Sequence, residues 1–173
     1  MAQNRSRRNF LRSAPLVVAA ASLPLGEKRL FASAPAGVPE PYKVFSAEML
    51  MESVAKLRAM PGNDNLYESK ALPITMVLTT EEKKNAKEFE YHEGRDHIFQ
   101  ILDGTTSYEL GGTPVNPRKT KPGEWMAPGS EGSRTVTVHK GDMLLIPRGT
   151  PHKRSTETSV TFMLISVTGS MPA

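Results

Sequence analysis

Residues 90–104 constrain this chain more than any other stretch, because they set three metal-binding side chains, Glu90, His92 and His97, around one short polar break. Successive side chains of a strand point to opposite faces, so Glu90 and His92 share one face while Phe89 and Tyr91 share the other. Glu93-Gly94-Arg95-Asp96 is polar, holds a glycine and reads as a turn. His97 opens the next run, in which His97, Phe99 and Ile101 lie on one face. A hairpin with those two faces turned inward brings three potential ligands together. A fourth, His152, stands far downstream behind the stiff turn Pro147-Arg148-Gly149-Thr150-Pro151.

The surrounding pattern is β. Ile74, Met76 and Leu78 alternate with Thr75, Val77 and Thr79. The charged residues 81–85 read as a solvated turn, Asp103-Gly104 as a tight turn, and 105–110 as a strand. Residues 113–134 are punctuated by Pro114, Pro117, Pro122, Gly123, Pro128, Gly129 and Gly132 and contain the single tryptophan, Trp125. They read as a long loop. Either it covers a barrel mouth with Trp125 as a lid or substrate contact, or it is a surface excursion whose Trp125 fills an apolar gap. Residues 135–138 are a short strand. Met143–Ile146 is an apolar run fit for a strand covered on both faces, and 160–167 is a last apolar strand. Ahead of all this, Ser46 offers an N-cap, and Ala47, Leu50, Met51, Val54 and Leu57 recur at helical spacing. They predict an amphipathic helix over 47–59, its stripe serving the core or a dimer contact. It follows a Pro-rich linker at 37–42.

A chain of 173 residues suffices for one domain with an appendage. There is no cysteine, which excludes disulfides, iron–sulfur clusters and thiolate zinc sites. Any metal must be held by imidazole and carboxylate. The net charge is +4, but residues 1–36 hold Arg5, Arg7, Arg8, Arg12, Lys28 and Arg29 against Glu27 alone, so the remainder is slightly acidic. A nucleic-acid role for the domain loses its main support. Ser6-Arg7-Arg8-Asn9-Phe10-Leu11-Arg12 resembles the twin-arginine signal motif. A modestly apolar run follows, too short for a spanning helix, and then the small-residue exit Ala34-Pro35-Ala36. The resemblance makes 1–36 a signal peptide. It implies delivery of a folded protein by the twin-arginine export machinery to the periplasm or beyond, with no stable membrane anchor.

Gly141, Pro147, Gly149 and His152 occupy every fixed position of G-x(5)-P-x-G-x(2)-H, the second motif of the cupin superfamily. Thr156 stands where that motif closes on Asn. The first motif is H-x-H-x(3,4)-E-x(6)-G. Anchored at Gly104, its Glu falls on His97, its second His on His92 and its first on Glu90. Strand parity favours this register over the one that uses Tyr91 and Glu93. The chain thus resembles a cupin in which the first His and the Glu have exchanged residue types. The resemblance implies an all-β fold over 70–168, a double-stranded β-helix or jelly-roll barrel, preceded by linker and helix at 37–69.

Three imidazoles and a carboxylate, Glu90, His92, His97 and His152, suit one divalent transition metal: Fe, Mn, Ni, Co or Zn. They leave a position open on an octahedral ion, which catalysis needs. Two expectations follow. One is a metal enzyme on a small oxygenated molecule, through dioxygenase-like oxidation or metal-assisted lyase or isomerase chemistry. The other is a module that binds a small molecule or sugar without turnover. Phe99, Ile101, Trp125 and Phe162 are candidate pocket walls, and a homodimer is expected, as is common in the family. His139 fits no motif.

Overall fold

The computed structural model describes residues 42–69 and 71–169. The predicted signal peptide and most of the linker lie outside them.

The helix α1 spans Ala47–Ala59, as the spacing predicts. Ser46 caps it by accepting the Met49 N–H at 3.2 Å, and Glu48 and the pair Lys56 and Arg58 complement its dipole at opposite ends. Its apolar stripe goes to the core: Leu50, Val54 and Leu57 pack with Leu78, Met163 and their neighbours on the outer face of a sheet. Met51 and Met60 stay exposed.

Eleven strands follow among the described residues. They are β1 (Gly62–Glu68), β2 (Ile74–Asn85), β3 (Phe89–His92), β4 (Arg95–Leu110), β5 (Thr113–Val115), β6 (Arg118–Lys121), β7 (Glu124–Ala127), β8 (Gly129–Glu131), β9 (Arg134–His139), β10 (Met143–Ile146) and β11 (His152–Thr168). All strand pairings among the described residues are antiparallel. The order β1-β2-β11-β3-β7-β6 forms one path, and β4 joins it by pairing with β11 while also holding β9 and β10. The two long strands, β4 and β11, tie the layers into the expected jelly-roll barrel. Its interior is filled by Phe99, Ile101, Tyr108, Val138, Ile146, Val160 and Phe162, which come from alternate positions of β4, β9, β10 and β11.

Four local expectations are corrected, and one strand is added. Asp103-Gly104 is no turn, since β4 runs straight through it. Gly104 instead sits at φ 76° opposite the register break of β11, and a Cβ there would collide with the Ser159 carbonyl oxygen. It is the kink that lets one strand serve two layers. Residues 81–85 end β2, and Glu81 is buried on a partner described below. Residues 113–134 are mostly four short strands, of which β7 pairs with β3. In β10 the apolar run is covered on one face only: Met143 and Leu145 are 64% and 61% exposed while Ile146 is buried. Residues 62–68, not expected as a strand, pair along β2.

Candidate metal centre

Three strands supply the site. β3 ends on His92, β4 carries His97 near its start, and β11 opens with His152. Two interactions lock these pieces together. The Gly149 N–H donates to the His92 carbonyl at 2.7 Å, which fastens the turn before His152 onto β3. Arg148 donates from its backbone N–H and its side chain to Asp96, the neighbour of His97, at 2.7 and 3.2 Å. A stiff turn therefore carries His152 to the hairpin and is tied there from both sides.

His92, His97 and His152 are all buried, at 6%, 6% and 4% exposure. One ring nitrogen from each lies within 4.8 Å of the other two. Their ring centroids stand 4.7 Å apart for His92 and His97 and 5.5 Å apart for each pair with His152. The unpaired polar atoms decide what this cluster suits. Nε2 of His92, Nδ1 of His97 and Nε2 of His152 are buried and have no hydrogen-bond partner among the described residues. A buried polar atom left unpaired costs about 1–3 kcal/mol. Three such atoms facing one point are the donor set of a nitrogen-loving divalent ion, at about 2.0–2.1 Å from each nitrogen for zinc.

The opposite edges of two rings are held. His92 Nδ1 faces Glu124 Oε2 at 2.6 Å, so that nitrogen carries the proton and Nε2 keeps its lone pair. Arg95 Nη2 is 3.1 Å from the same nitrogen but donates to Glu124 Oε1 at 2.6 Å, fixing the carboxylate. His152 Nδ1 donates to the Thr150 carbonyl at 2.9 Å, which frees Nε2 in the same way. Burial first, and then the Arg95 charge, hold the His92 pKa below its ordinary value, against the pull of Glu124 and Glu90. Burial, the two neighbouring rings and Arg95 push His97 down to about 3. These two rings are neutral at pH 7, the form that binds metal.

Glu90 stands apart from the three rings. Its Oε1 is 3.5 Å from His152 Nε2, a contact too long to satisfy that nitrogen, and half of the side chain meets solvent. The approach of His152, opposed by burial and reinforced by the other two rings, sets its pKa at about 2. The structure groups the three histidines and leaves Glu90 at the rim, within reach of the same centre.

Two cavities of about 350 and 360 Å³ open beside the cluster and share Glu90, Phe99 and Arg154 in their walls. His152 lines the first and His97 and Phe162 the second. Ile101 lines neither, because it is 1% exposed inside the core. Trp125 lies on the outer face of β7, paired with Tyr91 across the strands, stacked on its ring at 5.8 Å and donating to Glu93 at 2.7 Å. It lines a separate groove with Glu90, Arg95 and Glu124 rather than either cavity. His139 is exposed beside Asp142.

No protein-family model matches this chain, and no curated protein matches it. Solved structures do. BH2720 from Bacillus halodurans aligns with a TM-score of 0.51 at 16% identity, covering 78% of this chain and 86% of that one. This likeness is one of fold. A cupin-2 domain containing protein from Shewanella frigidimarina aligns at 0.44 with 17% identity, covering 65% of this chain and 89% of its own. KdgF from Halomonas sp. aligns at 0.44 with 14% identity, covering 62% and 78%.

Sequence reasoning missed the residues that support the rings. Glu124 lay in the presumed loop, and Glu124, Trp125, Met126 and Ala127 show no alternation that would have marked the strand. Arg154 and Thr156 follow His152 at steps of two, so strand parity alone puts them on its face. Arg154 donates to the two oxygens of Glu81 at 2.7 Å each, and Thr156 adds a third contact at 3.0 Å. Burial pushes Glu81 up, but the Arg154 and Thr156 contacts outweigh it and its pKa is lowered. Burial likewise lifts the Tyr108 phenol to about 12, so it keeps its proton.

Proposed function

We propose that this chain is an exported metal-dependent enzyme acting on a small oxygenated molecule. The observation that supports this most is the convergence of three buried, unpaired imidazole nitrogens beside open cavities. When bound, a divalent ion would polarise a substrate oxygen and acidify a coordinated water. His92, His97 and His152 would hold it. Glu124 and the Thr150 carbonyl keep two of those rings in the ligating tautomer. Phe99, edge-on to the His97 ring at 5.8 Å, and Phe162 line the cavity beside His97. Glu90 stays ionised at pH 7. A general base works best with a pKa near the operating pH, so Glu90 at about 2 fits a ligand or a charge stabiliser better than a base.

Oxidation by dioxygen and metal-assisted lyase or isomerase chemistry both use such a centre. Oxygen uptake with candidate phenols and diketones, run against metal-free protein, separates them. A non-catalytic binding module would show ligand binding and no turnover. Elemental analysis of the full chain purified from its own compartment, beside His97→Ala, tests the centre itself. About one metal per chain in the wild type and a large loss in the variant are expected. Equal metal content in both sinks the ligand assignment.

The twin-arginine-like leader supports export, and cell fractionation of an Arg7→Lys, Arg8→Lys variant checks it. Export after folding lets manganese or iron be loaded in the cytoplasm, and copper in the exported protein would count against that route. The exposed Met143 and Leu145 on the outer face of β10 support a homodimer, which mass measurement at several concentrations tests.

A further inference from the structure

Arg154 compensates the buried Glu81 and still has donor capacity to spare. Its side chain is 21% exposed and reaches into the barrel, with its guanidinium 4.5 Å above the Phe162 ring. Nε and Nη2 form a two-pronged pair with Glu81, so one edge of the fork is spoken for. Among the described residues the remaining terminal nitrogen, Nη1, has only the Tyr108 hydroxyl at 3.5 Å, a distance at which a hydrogen bond is weak. Arg154, Tyr108, Glu90 and His152 line one cavity of about 350 Å³, and Arg154, Glu90 and His97 line the other. Lys84, largely exposed, stands in the wall of both.

The charge count points the same way. Glu81 cancels the Arg154 charge as a whole, yet the pair is oriented, with the acid at one edge and N–H groups at the other. A divalent ion held by the three imidazoles would bring two positive charges, and Glu90, 3.5 Å from His152 Nε2, would offset one of them. With metal in place the cavity is cationic at one end and rich in hydrogen-bond donors at the other. A neutral sugar or a cationic ligand would leave that field unanswered.

We propose that the cavity takes a small carboxylate-bearing molecule, with its chelating oxygens at the three histidines and a second, distal carboxylate on Arg154 Nη1 and the Tyr108 hydroxyl. This rests on the metal reading above and adds the substrate class to it. Arg154 and Tyr108 are then specificity residues, and Glu81 with Thr156 positions the guanidinium.

The test uses the zinc-loaded full chain and two probes with the same chelating end. Malate and lactate are both 2-hydroxy acids, and malate carries a distal carboxylate where lactate has only a methyl carbon. Calorimetry should show malate binding at least ~10-fold tighter than lactate, the worth of a charge-assisted hydrogen bond. Arg154→Lys should bring the two probes to within ~3-fold of each other, with lactate affinity and zinc content unchanged. Tyr108→Phe leaves the Glu81 pair intact and should cut the malate preference by roughly 2- to 10-fold. Should Arg154→Lys fail to fold, as judged by its melting curve, Tyr108→Phe decides alone. No malate preference in the wild type, or an undiminished one in folded variants, overturns the proposal. Zinc content, read separately, reports on the metal reading. If the chain takes no zinc, the same malate and lactate comparison on the metal-free chain still decides the role of Arg154.

Discussion

The Glu124 carboxylate makes the sharpest test of how this centre is held. It touches no substrate cavity wall named above together with the rings, yet it sits 2.6 Å from His92 Nδ1. Replacing it with Ala removes the acceptor that fixes the His92 tautomer. It also frees Arg95, whose Nη2 already lies 3.1 Å from the same nitrogen, to donate to it. That donation stabilises the wrong tautomer, with the proton on Nε2, where a metal needs a lone pair. The guanidinium charge further disfavours a cationic neighbour such as a bound ion. Loss of a partner of this kind weakens metal binding by about 10- to 100-fold, which is about 1.4–2.7 kcal/mol. Glu124→Gln keeps an oxygen that can accept from Nδ1 and loses only the charge, so it should fall at the ~10-fold end. Zinc affinity measured by competition with a chelator of known strength reads the effect. Fold stability of the metal-free chain should change by no more than about 1 kcal/mol, because Glu124 and Arg95 are 31% and 35% exposed and such pairs are largely screened. Zinc affinity for Glu124→Ala within ~3-fold of wild type, in a normally folded protein, would refute the reasoning.

Acid should act on the metal-free chain through His97. Its folded pKa of about 3 lies below the ordinary histidine value, so below about pH 6.5 the unfolded chain takes up a proton that the fold refuses. Stability is unaffected at pH 7 and falls by about 1.4 kcal/mol per pH unit from this ring as pH drops towards 3. His97→Gln should flatten that slope, which denaturant titrations at several pH values will show. Gly104→Ala should lower the melting temperature by several degrees, at about 1–3 kcal/mol, since a Cβ meets the Ser159 carbonyl at a positive φ. Asp96→Ala should loosen the turn before His152 and lower zinc affinity without removing any ligand, by a smaller factor than His97→Ala.

What the sequence shows of this fold depends on the range of the signal. Strand parity is local, and it correctly put Glu90 apart from Phe89 and brought His92 and His97 to one side. The fixed positions from Gly141 to His152 encode a turn whose geometry is also local, and the turn delivers His152 as they imply. Glu81 was misread because four charged residues in a row signal solvent, and the partner that buries Glu81 is seventy-three positions away. Residues 113–134 were misread because glycine and proline punctuate short strands as readily as loops. Only pairing with β3 reveals β7 as a strand. Asp103-Gly104 carries turn chemistry, and the fold uses it for a kink instead of a reversal, a choice made by the length of β11 lying alongside.

Burial accounts for the order of the two side chains, Glu at position 90 and His at position 97. Position 97 sits inside the barrel, paired with Ile146 on one side and Ser166 on the other, at 6% exposure. Position 90 lies at the rim, and its side chain is half exposed. A carboxylate needs charge compensation when buried, whereas a neutral imidazole loses far less on leaving water. With His at the inner position and Glu at the outer, the metal-free barrel carries no buried, unpaired anion at 97. The reverse order would place the acid where only the ion could neutralise it, and would tie folding more tightly to metal supply. Swapping the pair back, as Glu90→His with His97→Glu, should therefore cost the metal-free chain more stability than it costs the zinc-loaded one. Equal losses in the two states would show that burial does not set the order.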